Sequence, residues 1–100
     1  MIIKAGDRFP NPAGDLNADI SGASVTFRMY HAPTGQFALS AAATIDDAPN
    51  GLVHYTWQAG NTDIPGAYFY EWLVTLGGIP QRFPGGENRE IVIKEAAPAS

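Results

Sequence analysis

Residues Tyr68 to Leu76 alternate in a way that a helix cannot use. The even positions are Tyr68, Tyr70, Trp72, Val74 and Leu76, all apolar or aromatic. The odd positions, Phe69, Glu71, Leu73 and Thr75, are mixed. A period of two with one apolar row is a strand with one face in a core. Pro65-Gly66 upstream and the many aromatic and β-branched residues argue the same way. Gly77-Gly78 then reads as a two-residue hairpin turn. That turn fixes a register, with Leu76 opposite Ile79 and Trp72 opposite Phe83. Both pairs are apolar on one face, so turn and pattern agree. Pro80 and Pro84 lack a backbone donor, which confines the return strand, Ile79 to Pro84, to a short or edge position.

The rest of the chain repeats this grammar. Ile2 to Phe9 alternates and predicts a first strand. Pro10, Pro12 and Gly14 argue against regular structure after it, and Leu16 to Ile20 reads as a short strand or an extended crossing. Ala23 to Tyr30 predicts a strand with Val25, Phe27 and Met29 inward and Thr26, Arg28 and Tyr30 outward. Gln36 to Asp47 predicts another, with Phe37, Leu39, Ala41, Ala43 and Ile45 inward. His31 falls in the loop between them. The next turn has two readings. A two-residue Asn50-Gly51 turn sets Ile45 against Thr56 and mixes odd with even positions. A three-residue Pro49-Asn50-Gly51 loop sets Ile45 against Tyr55 and Ala43 against Trp57, and is preferred. Leu52 to Trp57 is then a strand with Val53, Tyr55 and Trp57 inward. A Gly85-Gly86 turn leads to a last strand, Arg89 to Glu95. Residues 96–100 form a small-residue tail, so the expected domain is 1–95 with a mobile end.

Asp63, Gly66 and Tyr68 echo the tyrosine corner of immunoglobulin-like domains, in which a Tyr near the start of a late strand bonds back to upstream backbone. The plainer alternative is that Tyr68 is one more core aromatic. With seven to eight short strands at sandwich-like spacing, the expected fold is all-β, a single immunoglobulin-like antiparallel β-sandwich. Eight Pro and 11 Gly in 100 residues agree with many turns.

Composition removes several functions. The net charge is −4 and no basic cluster exists, which argues against nucleic acid. There is no cysteine, so neither a disulfide nor a thiol site is available. No apolar run approaches membrane-spanning length, and the start shows no signal-peptide core, so the expectation is a chain made in the cytoplasm without a membrane partner.

No catalytic constellation is visible, and the expectation is that the chain is not an enzyme. His31 and His54 are the only histidines and sit in no metal or catalytic motif. Ser21, Ser24 and Ser40 lack a nucleophile-elbow context. Asp7, Asp15, Asp19, Asp46, Asp47 and Asp63 lie in or near turns, where Asp is a favoured residue. Their spacing is not that of a calcium loop. No cofactor and no metal are expected. Trp57 and Trp72 could stack on sugar, but their inward parity assigns them to the core. The outward residues Tyr30, Leu52, Phe69 and Leu73 are the better contact candidates. The small-residue row Ala38, Ser40, Ala42 and Thr44 is weakly charged, and a bare edge there would invite pairing with another chain.

Several segments in order carry a resemblance. They are Lys4-Ala5-Gly6-Asp7-Arg8-Phe9-Pro10, Ile20 to Met29, Gly51 to Trp57, Asn61 to Tyr68 and Arg82-Phe83-Pro84. Together they resemble the small tailed-bacteriophage proteins similar to the N-terminal domain of baseplate upper proteins. Asn11 to Asp19 is shorter and richer in turn formers than the family's second strand. The resemblance implies a virion structural or adaptor module of tail, baseplate or neck. It would be present in several symmetry-related copies and dock on other virion proteins. It supplies no catalytic residue. A carbohydrate-binding or host-surface module and a capsid decoration protein remain as alternative readings.

Overall fold

The computed structural model describes residues 2–84 and 90–95. The expected Gly85-Gly86 turn and the tail lie outside the described residues. Among the described residues nine strands occur, in the order β1 (Ile2–Lys4), β2 (Ala13–Asp15), β3 (Ser24–His31), β4 (Phe37–Ala42), β5 (Thr44–Asp47), β6 (Leu52–His54), β7 (Gly66–Leu76), β8 (Ile79–Pro84) and β9 (Glu90–Lys94). No helix is present among the described residues. The strands form two sheets, as a small sandwich requires. The larger runs β1-β9-β7-β3-β4 with β8 also on β7, and the smaller runs β2-β6-β5.

The alternating stretch is the hub. β7 pairs with β3 along one edge, and on the other its first half pairs with β9 and its second half with β8. The turn has the predicted register, with Leu76 opposite Ile79 and Trp72 opposite Phe83. Gly77 and Gly78 both take positive φ, 59° and 80°, which a primed turn needs and a side chain resists. Phe27, Met29, Trp72 and Val74 are buried on the inner face, together with Val53, Tyr55 and Trp57 from the smaller sheet side.

The structure corrects the sequence reading at several points. The first strand ends at Lys4, because Asp7 N turns back onto Lys4 O at 3.0 Å. Three residues of the Pro- and Gly-rich segment do form a strand, β2, since its prolines precede the residues that pair with β6. His31 ends β3 instead of lying in a loop, through its bond to Gln36 O. The long strand from Gln36 to Asp47 breaks at Ala43. Its first part, β4, pairs with β3 in the larger sheet, and its second, β5, pairs with β6 in the smaller one. Such a corner lets one strand serve two sheets. Ala43 therefore bonds to Val25 O at 2.9 Å and does not face Trp57.

Neither predicted register of the next hairpin holds. Ile45 lies opposite Val53, and Asp46 is bulged so that Asp47 meets Leu52. The bulge adds a residue to one strand, which lengthens the loop to Ala48–Gly51 while keeping Ile45 and Val53 on the core side. Past His54 the chain stops pairing as a ladder. Tyr55 N donates instead to Pro12 O at 2.9 Å and Trp57 N to the Asn11 side chain at 3.2 Å.

The sheets close tightly where β2 crosses Trp72. A Cβ placed on Gly14 would lie 2.6 Å from Trp72 Nε1, and Trp72 is wholly buried. A buried indole has nowhere to retreat. Gly14→Ala is expected to cost about 1–3 kcal/mol of stability by overpacking, measured by urea unfolding. An unchanged midpoint would show that β2 can lift away freely.

Candidate functional site

The outer face of the larger sheet gathers most of the residues singled out as contact candidates. On β3 it carries Thr26, Arg28 and Tyr30; on β7, Phe69, Glu71, Leu73 and Thr75. Ladder register sets these in rows across the sheet. Tyr30 stands opposite Phe69 and Arg28 opposite Glu71. Thr26 stands opposite Leu73, and Arg82 of β8 faces Leu73 from the other side.

Phe37, expected inward, belongs to this face. The pairing slips between Met29 and Tyr30, so that Leu39 faces Met29 but Phe37, not Ala38, faces Tyr30. Ala38 is the extra residue of a bulge, and a bulge re-aims the next side chain. Phe37 is thus 57% exposed. It completes a transverse aromatic row, Phe37–Tyr30–Phe69, across three neighbouring strands. At strand spacing that row spans roughly 10 Å.

The polar groups of the face are tied together. The Tyr30 hydroxyl donates to Glu71 Oε1. Arg28 Nη1 lies 4.0 Å from the same oxygen. The Arg28 guanidinium also sits 4.5 Å from the Phe37 ring centre, while Tyr30 stacks on Phe37 with centroids 4.7 Å apart. Phe37 is therefore held by a ring and by a cation while more than half of its surface stays in water.

Beyond Phe37 the sheet stops. β4 is the last strand of the larger sheet, and no described strand pairs with its outer edge. Because Ala43 N bonds to Val25 O, alternation along an antiparallel pair turns the backbone groups of Ser40 and Ala42 outward. Their side chains are exposed as well. No Lys or Pro guards this strand.

The remaining candidates are placed elsewhere. Leu52 is exposed on the outer side of the smaller sheet, away from the aromatic row. Thr44 lies past the corner, also in the smaller sheet. Trp57 and Trp72 are buried, as their parity predicts. Tyr68 is buried and its hydroxyl donates to Ile64 O at 2.8 Å, the backward bond of a tyrosine corner, with Asp63 exposed in the turn and Gly66 opening β7. Sequence reasoning missed Phe37 and Arg28. The bulge that exposes Phe37 leaves no mark in composition, although an aromatic at the mouth of a Gly35 turn was a usable hint.

Chemistry-bearing groups do not converge. His54 Nδ1 is 2.7 Å from Asp46 Oδ2 on the smaller sheet, whereas His31 Nδ1 is 3.1 Å from Thr34 Oγ1 at the end of β3. Among the described residues no three His, Cys, Asp or Glu side chains gather as a metal site. No described helix is long and apolar enough to cross a membrane. Comparison with protein-family models, with curated proteins and with solved structures finds no match to this chain.

All four tyrosines hold their protons more firmly than a free phenol. Burial raises Tyr55, Tyr68 and Tyr70 above the ordinary value of 10.0. Tyr30 is raised by burial first, then by its bond to Glu71 and that carboxylate's charge, with Arg28 and Arg82 opposing. A raised acid means that the fold favours the neutral phenol. The associated stability is complete below pH 10.0 and is lost as pH climbs beyond it. Ultraviolet titration should show phenolate appearing late and together with unfolding. Phenolate formation at the free-tyrosine pH with the fold intact would contradict this.

Proposed function

We propose that this protein is a non-enzymatic structural module that docks on neighbouring proteins through the outer face and β4 edge of its larger sheet. The observation that carries the reading is the aromatic row Phe37–Tyr30–Phe69 ending at an unguarded strand edge. Exposed aromatics beside unsatisfied strand backbone suit a protein partner, which can bury the rings and extend the ladder. The free edge of β4 beside the row offers backbone groups that a protein strand can pair with to extend the ladder, which favours protein over glycan.

The resemblance of the chain to the N-terminal module of phage baseplate upper proteins supports a virion setting, in tail, baseplate or neck. Symmetry-related copies there would each present this face to a neighbour. Cryo-electron microscopy of purified particles of the source phage tests it. The expected result is ordered copies of the sandwich whose larger sheet faces another virion protein. Particles without the protein would overturn the virion reading. Glycan binding by the purified domain that Phe69→Asp abolishes would replace docking with the carbohydrate reading.

A further inference from the structure

The two ends of the sandwich carry features that match each other. At the end where β7 begins, the loop after β1 presents Phe9, which is 81% exposed, beside the exposed Arg8. The backbone is tied down on both sides of Phe9. Asp7 O accepts from Thr62 Oγ1 at 2.6 Å, and Pro10 O accepts from Trp57 Nε1 at 2.9 Å. Thr62 is itself buried, and Gly6 N bonds to Thr62 O at 3.0 Å. An apolar side chain is thus held out in water on a braced backbone, and part of the ordering cost of binding through it is already met. Ile64, 71% exposed, lies on the same end.

At the opposite end, where β7 finishes, the inner side of the β7–β8 hairpin faces the segment 18–20 that follows β2. Val74, Leu76, Ile79 and Phe83 there, with Ile20 and Asp19 across from them, line a cavity of about 260 Å³. An apolar cavity of about 150 Å³ is enough to hold a benzene ring. Leu76 and Ile79 form an exposed apolar rim. The Asp19 carboxylate accepts from Ser21 N at 2.9 Å and Ser21 Oγ at 2.6 Å, which fixes it at the mouth. Those bonds hold its acid below the ordinary value, the side-chain bond contributing most, so it is anionic at neutral pH. The cavity therefore asks for an apolar group with a cation beside it, which is the chemistry of Arg8-Phe9.

One copy cannot satisfy itself. The ten steps from Gly66 to Leu76 separate the two ends by roughly 33 Å. We propose that copies of this chain associate head to tail, Phe9 of one seated in the cavity between Ile20, Val74 and Phe83 of the next, and Arg8 facing that copy's Asp19. The contact is heterologous, so successive copies form a ring where the rotation closes and a filament where it does not. It uses the ends of the sandwich and is independent of the outer face assigned to docking.

Sedimentation velocity of the purified chain from micromolar to millimolar concentration tests this. Species beyond a dimer are expected to grow with concentration. Phe9→Asp and, separately, Ile79→Asp should each weaken association roughly tenfold or more, from the lost burial of an apolar side chain. Both residues are solvent-exposed, and circular dichroism would verify that the variants fold. Arg8→Glu should weaken it roughly two- to five-fold, and Asp19→Lys in the same chain should restore it. The deciding mixture combines Phe9→Asp copies, whose cavity is intact, with Ile79→Asp copies, whose plug is intact. It should yield dimers that do not grow. Phe69→Asp, on the outer face, should leave head-to-tail association in place. A chain that stays monomeric throughout, or a mixture that forms no dimer, overturns the proposal. So does association that survives Phe9→Asp and is lost in Phe69→Asp, since copies would then meet through the outer face.

Discussion

Phe27 lies fully buried at the point where the two sheets meet, and four aromatic rings close around it. Tyr55 stacks on it at 4.7 Å and Trp57 meets it edge-on at 5.8 Å, both from the segment that follows β6. Tyr70 and Trp72 approach at 5.6 Å and 5.2 Å from β7. Each aromatic pair of this kind adds about 0.5–1.5 kcal/mol beyond the area it buries. Among the described residues the smaller sheet has three short strands and little ladder of its own, so core packing with these rings at its centre holds it against the larger one. With no disulfide to brace a chain of 100 residues, the aromatic cluster carries that role.

A core this full constrains what lies around it. β2 has to pass so close to Trp72 that only glycine fits at position 14. The segment after β6 gives up its ladder partner so that Tyr55 and Trp57 can turn inward, and its backbone donors are satisfied by Pro12 O and by the Asn11 side chain. The same packing braces the loop that carries Phe9, because the indole nitrogen of Trp57 holds Pro10 O. The placing of the exposed Phe9 is thereby a consequence of how the interior is filled.

The outer face and the ends follow a different logic. They are where apolar side chains remain in water although the core has no room for them. A stable monomer tolerates scattered examples. Here Phe37, Tyr30 and Phe69 form a row at a free strand edge, while Phe9 at one end answers a cavity at the other. The proposed docking on neighbours and the proposed association between copies would use separate surfaces, as a repeated component of a larger assembly would need.

The alternation of residues 68–76, the Gly77-Gly78 turn and the inward row Val25, Phe27 and Met29 were all legible, because a period of two and a primed turn are local properties of the chain. The sequence by itself determined that the protein is all-β, that β7 and β8 pair in one register, and that Phe27, Tyr55, Trp57, Tyr68, Tyr70 and Trp72 are buried. Tertiary structure alone decided where the strand after Gly35 changes sheets, that Asp46 and Ala38 bulge, and that Phe37 faces solvent. It also decided that Pro12 can stand beside a strand and that Arg8-Phe9 and the Asp19 cavity occupy opposite ends. Those outcomes depend on which of several possible strand partners is satisfied, and a bulge costs little locally while shifting everything beyond it. A hairpin's neighbours and a cavity's walls come from residues far apart in the chain, so no window of sequence contains them.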